Sequence, residues 1–231
     1  MKQIPINIDI NELRDSANDK LQDSGWAPML TPFINGLDFD LIVEKLVSLV
    51  NAERRFTPRF KDIFNGFKEC KYDDLKCIIV GQDPYPQLGV ADGIAFSCSR
   101  KGKAEKSLQY ILKALGDEDG DVDLKRWSNQ GVLLINTAFT CEVNSIGSHY
   151  DLWKPFSRYI FENINRHNKN IPVILMGKKA EAWEIMLNNQ KIYKVTHPAS
   201  AAYRGGEWDC NDVFNKVNQE LEKQDIPCIE W

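Results

Sequence analysis

An amide, a carboxylate and a phenol occur within four positions directly after a short apolar run. Residues 77–80 (CIIV) are typical of a buried strand, and Gly81-Gln82-Asp83-Pro84-Tyr85-Pro86 follows at once. Two prolines with fixed φ and a glycine predict a rigid, shaped loop. A lone Asp-Pro in such a turn most often caps the next helix. The crowding of three polar side chains, with Phe96 soon after them, favours a binding or catalytic site.

Three further apolar runs end on polar side chains. Residues 132–135 precede Asn136, residues 172–176 precede Gly177, Lys178 and Lys179, and residues 192–195 lead to Thr196 and His197. Helical segments separate the runs, a pattern that predicts a parallel sheet. In an open parallel sheet, ligands bind beyond the carboxyl edge of the strands. We therefore expect these polar side chains to lie along one edge.

The fold class predicted from this order is α/β, with a central, mainly parallel four-stranded sheet flanked by helices on both faces. Residues 1–231 are expected to form one domain, in which residues 1–24 are a polar N-terminal lead-in containing a helix at residues 10–21. Six further helices are predicted from apolar periodicity. They are residues 38–55, 57–67 (with Thr57 as N-cap), 107–115, 154–165, 179–187 and 211–223.

Composition and charge narrow the class of protein. The 231 residues are 43% hydrophobic and 27% charged, with a net charge of −4, as in an ordinary globular domain. No apolar run is long enough to span a bilayer, so we expect no membrane association and a cytoplasmic location. Six scattered cysteines without a C-x-x-C pair indicate free thiols rather than a metal cluster or a disulfide framework.

The acidic net charge counts mildly against a nucleic-acid partner, but the distribution of charge matters more. A basic run follows the central motif, whereas the acids gather elsewhere, notably in residues 116–123. The run consists of Arg100, Lys101, Lys103 and Lys106. It predicts a locally positive mouth at the sheet edge, flanked also by Arg204.

The motifs Gln82-Asp83-Pro84-Tyr85, Phe96-Ser97, residues 133–137 (LLINT) and His197-Pro198 together resemble the family-1 uracil-DNA glycosylases. Residues 63–67 (IFNGF), Ser148-His149 and residues 226–231 agree with this resemblance, which runs from about Trp26 to the end of the chain. Each fragment alone is weak evidence. Their common order and spacing are specific.

The resemblance implies hydrolysis of the bond between uracil and deoxyribose, after the nucleotide has left the base stack. Asp83 is implied to stabilise the cationic sugar and to orient water, and His197 to donate a hydrogen bond to uracil O2. Asn136 is implied to read the uracil edge, Phe96 to stack on the ring and Tyr85 to exclude the thymine methyl. Gln82 would act mainly through loop geometry and backbone contacts. No metal and no cofactor are implied.

Ser107, Lys178 and Ser200 match positions where the family grips DNA phosphates. Departures from the family pattern are Pro86 in place of the usual His, a loop before Ser107 without prolines, and Ala201 in place of the leucine wedge. Ala201 is too small to act as a wedge. Tyr203 or Arg204 is the candidate replacement, and without a wedge we expect weaker activity on duplex than on single-stranded DNA.

The expected partners are uracil-containing DNA, single- or double-stranded, and a DNA-mimicking protein inhibitor, with the protein as a monomer. Two other hypotheses remain at this point. One is a related glycosylase with a different base specificity, although Asp83 and Tyr85 argue against the mismatch-specific branch and the cysteine spacing argues against the iron–sulfur branches. The other is a non-catalytic DNA-binding or replication-accessory protein on the same fold.

Overall fold

The structure, a computed structural model, describes residues 10–99, 102–201 and 206–231. Its strands are β1 (Phe56–Thr57), β2 (Cys77–Gly81), β3 (Val132–Asn136), β4 (Cys141–Glu142), β5 (Pro172–Met176) and β6 (Lys191–Val195). Its helices are α1 (Ile10–Asp23), α2 (Ala27–Ile34), α3 (Leu37–Asn51), α4 (Asn65–Glu69), α5 (Lys106–Leu115), α6 (Lys125–Ser128), α7 (Tyr150–His167), α8 (Lys178–Glu181) and α9 (Val213–Glu222). Short 3-10 turns cover Phe60–Asp62, Tyr72–Asp74 and Glu184–Met186.

The central sheet has the strand order β3-β2-β5-β6, and every neighbouring pair is parallel. The chain leaves β2 for β3 on one side and later returns to β5 on the other side of β2. This reversal is a topological switch point, where open α/β sheets bind ligands at the carboxyl ends of their strands. The predicted parallel sheet is confirmed.

Successive residues of the sheet strands point to opposite faces of the sheet and pack into two separate apolar layers. Ile78 and Val80 pack with residues of α1, α2, α3, α4 and α7, whereas Cys77 and Ile79 pack with residues of α5, α6 and α9. Both faces of the sheet are therefore covered by helices, as predicted, and this explains why the strands are apolar throughout. Among the described residues, no helix combines the length and apolarity needed to cross a membrane.

The four sheet strands agree with the predicted runs to within one residue, but four helical segments differ. The helix predicted at residues 179–187 divides into α8 and the 3-10 turn Glu184–Met186. The helix predicted at residues 38–55 ends at Asn51, because Glu53 takes a left-handed conformation (φ 60°) and the Arg54 N–H bonds back to the Leu49 carbonyl. The sequence did not indicate this helix end, because the left-handed position is occupied by Glu53 instead of the glycine that usually marks it. Residues 154–165 were predicted as a helix that in fact extends over Tyr150–His167.

The prediction that Thr57 caps a helix through residue 67 is wrong. Thr57 lies in β1 and pairs with Cys141 of β4, a long-range contact that no local pattern reveals. The region after it divides into a 3-10 turn and α4. The sequence analysis also missed α2, which begins after the fully buried Trp26, whose indole N–H donates to the Cys70 carbonyl at 2.7 Å.

Helix α1 of the N-terminal segment contributes to the core. Ala17 and Leu21 of α1 are buried in the same apolar layer as α2 and α3. All six cysteines are free thiols, and four of them are buried, namely Cys70, Cys77, Cys98 and Cys141.

Gly131, at the entrance to β3, provides a test of how closely the loops pack around the sheet. Its φ is +94°, its carbonyl accepts from the Lys76 and Cys77 N–H groups, and a Cβ there would lie 1.9 Å from the Asp74 carbonyl oxygen. We expect Gly131→Ala to lower the free energy of unfolding by about 3 kcal/mol or more, measured by denaturant titration.

Gly89→Ala is the matched control, because Gly89 also has a positive φ (+78°) but nothing lies within 4 Å of its added Cβ. It should cost only the left-handed strain, about 1–2 kcal/mol. Equal losses for the two variants would show that close packing at Gly131 does not matter.

Candidate active site

The carboxyl ends of β2 and β3 are joined by hydrogen bonds that continue past the sheet. Gly81 pairs with Asn136, and the Thr137 N–H donates to the Gly81 carbonyl at 3.1 Å. The Thr137 hydroxyl (2.7 Å) and the Ala138 N–H (3.2 Å) both donate to the Gln82 carbonyl. These bonds hold the loop that carries Gln82 beside the side chain of Asn136.

Gly81 permits a close approach that any other residue would prevent. A Cβ at this position would lie 2.3 Å from the Asn136 side-chain oxygen and 3.1 Å from the Phe96 ring. The Asn136 amide and the Phe96 ring therefore both pack against the backbone of Gly81 at the end of β2.

A cavity of about 120 Å³ opens at this edge of the sheet. This volume is of the order of the ~150 Å³ cavity that admits one benzene ring. Seven of the predicted site residues line it, namely Gln82, Asp83, Tyr85, Phe96, Ser107, Asn136 and His197. Apolar side chains complete the wall, among them Ile63, Ile94, Phe139 and Ile146. The geometry that the hypothesis needed, with Asp83 and His197 at one cavity, is present.

The Asp83 carboxylate is held by donors from its own loop and from the segment before α7. The Gly147 N–H donates to Oδ2 at 2.6 Å, and the Gln82 amide donates to Oδ1 at 3.3 Å. Burial raises the pKa of the Asp83 carboxyl, and these hydrogen bonds partly oppose that shift. The result is a carboxylate held in one orientation beside an apolar wall.

Phe96 lies in a strained loop whose conformation depends on a buried carboxylate. Its φ is +66°, which is costly for a residue with a large side chain. Asp92, 5% exposed, accepts hydrogen bonds from the Ile94 N–H and from the Ser97 and Ser99 side chains. The Tyr85 hydroxyl donates to the Phe96 carbonyl at 3.1 Å. Phe96 is itself buried, and it lines the cavity.

His197 lies two residues beyond β6, with its ring centroid 5.9 Å from that of Phe96. The Ala199 N–H donates to Nδ1 at 3.3 Å, so a neutral ring carries its proton on Nε2. Burial lowers the pKa of the His197 imidazole. The side chain is therefore a neutral hydrogen-bond donor at pH 7.

The Asn136 amide has no hydrogen bond to any protein group in the part of the chain that the structure describes. It lines the cavity half-buried, so one donor and one acceptor are available to a bound molecule. Among residues 10–99, 102–201 and 206–231, no three His, Cys, Asp or Glu side chains cluster as metal ligands.

The remaining predicted DNA-binding residues lie outside the cavity lining. The Lys178 ammonium is 93% exposed and pairs with Glu181 at 2.9 Å. Ser200 is half-buried, and its N–H donates to the His197 carbonyl. Ala201 is buried among apolar side chains and cannot enter a duplex. Tyr203 and Arg204, as well as Arg100 and Lys101 of the basic run, lie outside the described residues, whereas Lys103 and Lys106 are exposed.

Sequence analysis missed several residues that shape the site. Asp92 belongs to no motif that the sequence analysis used, although it lies close before Phe96 in the chain. Ile146, 63% exposed, reaches the cavity from a loop after β4, and Ala199 comes from the turn after His197. Ser107 was matched to a phosphate-binding position, yet it is buried in the cavity wall near Tyr85.

Comparisons with known proteins identify the family of the chain. The family model described as the uracil DNA glycosylase superfamily matches residues 67–222. The chain is 32% identical over 233 residues to a uracil-DNA glycosylase of Acinetobacter baumannii, covering 95% of this chain and 98% of that protein. It is 34% identical over 196 residues to uracil-DNA glycosylase 1 of Listeria innocua, covering 81% and 88%.

Solved structures share the fold. The mimivirus uracil-DNA glycosylase superposes with a TM-score of 0.80 at 21% identity, covering 97% of this chain and 89% of that one. A mimivirus UNG variant solved in complex with UGI gives a TM-score of 0.78 at 22% identity, with coverage of 97% and 91%. The UNG of Nitratifractor salsuginis gives 0.62 at 18% identity, with coverage of 97% and 100%. On the family match and the identity over nearly the whole chain, this protein belongs to the uracil-DNA glycosylase superfamily.

Proposed function

We propose that this protein excises uracil from DNA by hydrolysing the N-glycosidic bond, which releases free uracil and leaves an abasic site, as the first step of DNA repair. The observation that carries the proposal is the cavity in which Asp83, Asn136, Phe96 and His197 meet. The names of the relatives, uracil-DNA glycosylases, support it.

Base selection follows from the groups that a pyrimidine would meet in this cavity. The Asn136 amide can donate to uracil O4 and accept from N3–H, whereas cytosine presents the opposite pattern. A wrong base leaves buried polar groups unpaired, which costs more than a poor fit of shape. Stacking on Phe96 contributes about 1–3 kcal/mol.

The size and position of the cavity require the nucleotide to leave the duplex. A volume of about 120 Å³ at the end of the sheet holds one ring and excludes a base pair. Base flipping is therefore part of the proposal. The reaction then takes place in a cavity with apolar walls, where the low dielectric constant strengthens each electrostatic contact.

Bond cleavage is assigned to Asp83 and His197. As the bond to the sugar breaks, the Asp83 carboxylate stabilises the cationic sugar and orients the attacking water. The His197 Nε2–H donates to O2 of the departing uracil anion. Because burial raises the pKa of Asp83, activity is expected to fall on acidification at a higher pH than an exposed Asp would give.

DNA contacts outside the cavity are assigned to Lys178 and Ser200, and Ser107 would meet the DNA from the cavity wall, where it is buried. The exposed ammonium of Lys178 is the one best placed for phosphates, although Glu181 competes for it. Similarity to the UGI-bound mimivirus UNG supports a DNA-mimicking protein inhibitor as a further partner. We propose a monomer in the cytoplasm, where the free thiols would stay reduced.

Uracil release from a labelled oligonucleotide tests the proposed function. We expect wild type to release uracil, Asp83→Asn to lose about 10²–10⁴-fold in kcat and His197→Ala about 10²–10³-fold, because each removes charge or donor stabilisation in the transition state. Asp119→Asn, a change in the exposed acidic segment, is the matched control and should leave the rate unchanged. DNA binding by wild type without uracil release would instead identify a non-catalytic DNA-binding protein.

Replacement of Tyr85 tests the exclusion of thymine. Tyr85→Ala opens space at the cavity wall, so we expect thymine release from ordinary DNA, measured by chromatography of free bases, together with slower uracil release. Tyr85→Phe keeps the ring and loses the hydroxyl, which donates to the Phe96 carbonyl at 3.1 Å. It should still reject thymine. Thymine release by both variants at similar rates would contradict steric exclusion by the ring.

The absence of a leucine wedge predicts a preference for single-stranded substrate. Ala201 is buried, so Tyr203 and Arg204 are the residues available to fill the gap left by a flipped base. We expect higher kcat/KM on single-stranded than on matched duplex DNA, with a further loss on duplex alone for the double variant Tyr203→Ala plus Arg204→Ala. Equal turnover on both substrates, unchanged by the double variant, would refute this expectation.

A further inference from the structure

Tyr150, the first residue of α7, buries a hydroxyl group beside Asp83. Its phenolic oxygen is shielded from solvent and, among the described residues, has no partner at hydrogen-bonding geometry. An unpaired buried hydroxyl costs free energy that folding does not recover. None of the roles assigned above uses this group.

The ring of Tyr150 is fixed from two sides. A Cβ on Gly147 would lie 2.8 Å from the ring, so only glycine allows this packing. The Lys179 ammonium lies 4.9 Å from the ring centroid on a cation–π contact. The hydroxyl is therefore held in place by packing rather than by a hydrogen bond of its own.

Asp83 and Tyr150 affect each other electrostatically. Burial, followed by the charge of Asp83, raises the pKa of the Tyr150 hydroxyl, and Tyr150 in turn favours the charged form of Asp83. Cys141 of β4 also faces this pair, and burial raises the pKa of its thiol to about 12, so it stays neutral. His197, which lines the same cavity, is neutral above its lowered pKa, and the Lys179 ammonium lies over the Tyr150 ring.

We propose that Tyr150 is a positioning residue for Asp83, whose buried hydroxyl donates a hydrogen bond to the carboxylate from the α7 side. The segment of residues 147–150 then supplies two donors to one carboxylate, the Gly147 N–H at 2.6 Å and the Tyr150 hydroxyl. These donors stabilise the ionised form that the chemistry needs and keep its orientation. This inference rests on the proposed function of Asp83.

Tyr150→Phe removes the hydroxyl and keeps the ring with its two packing contacts. We expect the pKa of Asp83 to rise by about half a unit or more, because a donor to the charged form is lost. The acid limb of the pH–rate profile for uracil release should move up by the same amount. The titration is measured by NMR of the carboxyl carbon in substrate-free protein, assigned with Asp83→Asn.

Tyr159→Phe is the matched control on the same helix, where the hydroxyl donates to the Met29 carbonyl at 3.0 Å, away from the cavity. It should lower the denaturant midpoint of unfolding through the loss of that bond, while the Asp83 titration stays unchanged. Tyr150→Phe should show the reverse, an unchanged or raised unfolding midpoint and a shifted titration.

An identical Asp83 titration in wild type and Tyr150→Phe would overturn the inference, whatever the activity. This outcome is distinct from failure of the proposed function, in which wild type releases no uracil. The carboxyl titration needs no turnover, so the contact between Tyr150 and Asp83 is tested in either case.

Discussion

The pairing of β2 with β3 is the constraint on which the site depends. Their register places Gly81 opposite Asn136, and the hydrogen bonds of Thr137 and Ala138 extend the pairing beyond the last strand residue. Parallel strands bring their carboxyl ends to one edge only when they are adjacent and in register. A one-residue slip would turn Asn136 away from the cavity and move the Gln82 loop with it.

A close approach at Gly81 turns this pairing into a binding site. Because Gly81 has no Cβ, the Asn136 amide and the Phe96 ring can both pack against its backbone. The strain at Phe96 (φ +66°) is tolerated because Asp92 satisfies the N–H and hydroxyl groups of its loop. The position of the Phe96 ring thus depends on a carboxylate that itself does not line the cavity.

Sequence patterns predicted the sheet well because buried parallel strands are short continuous apolar runs with polar residues at their ends. They predicted these residues of the cavity for the same reason, since Asn136 ends a strand and Asp83 and His197 each lie two residues beyond one. Helix ends were harder, as α3 stops at a left-handed Glu53 rather than at a glycine. Thr57 was misassigned because its partner, Cys141, lies far along the chain. Asp92, Ile146 and Tyr150 reach the site through tertiary packing, which no single-sequence motif records.

Burial at Asp83 has two opposed consequences. An apolar wall strengthens the attraction between the carboxylate and a cationic sugar, but it also favours the protonated form, which cannot provide that attraction. Among the described residues, the groups that hold the carboxylate are uncharged local donors rather than cations. The Gly147 N–H and the Gln82 amide each bind one carboxylate oxygen, and neither carries a charge that would repel the sugar. A lysine in their place would stabilise the carboxylate more strongly and would cancel the field that the reaction requires. If Asp83 acts as proposed, uncharged donors are therefore the arrangement that favours its ionised form while its charge still acts on the substrate.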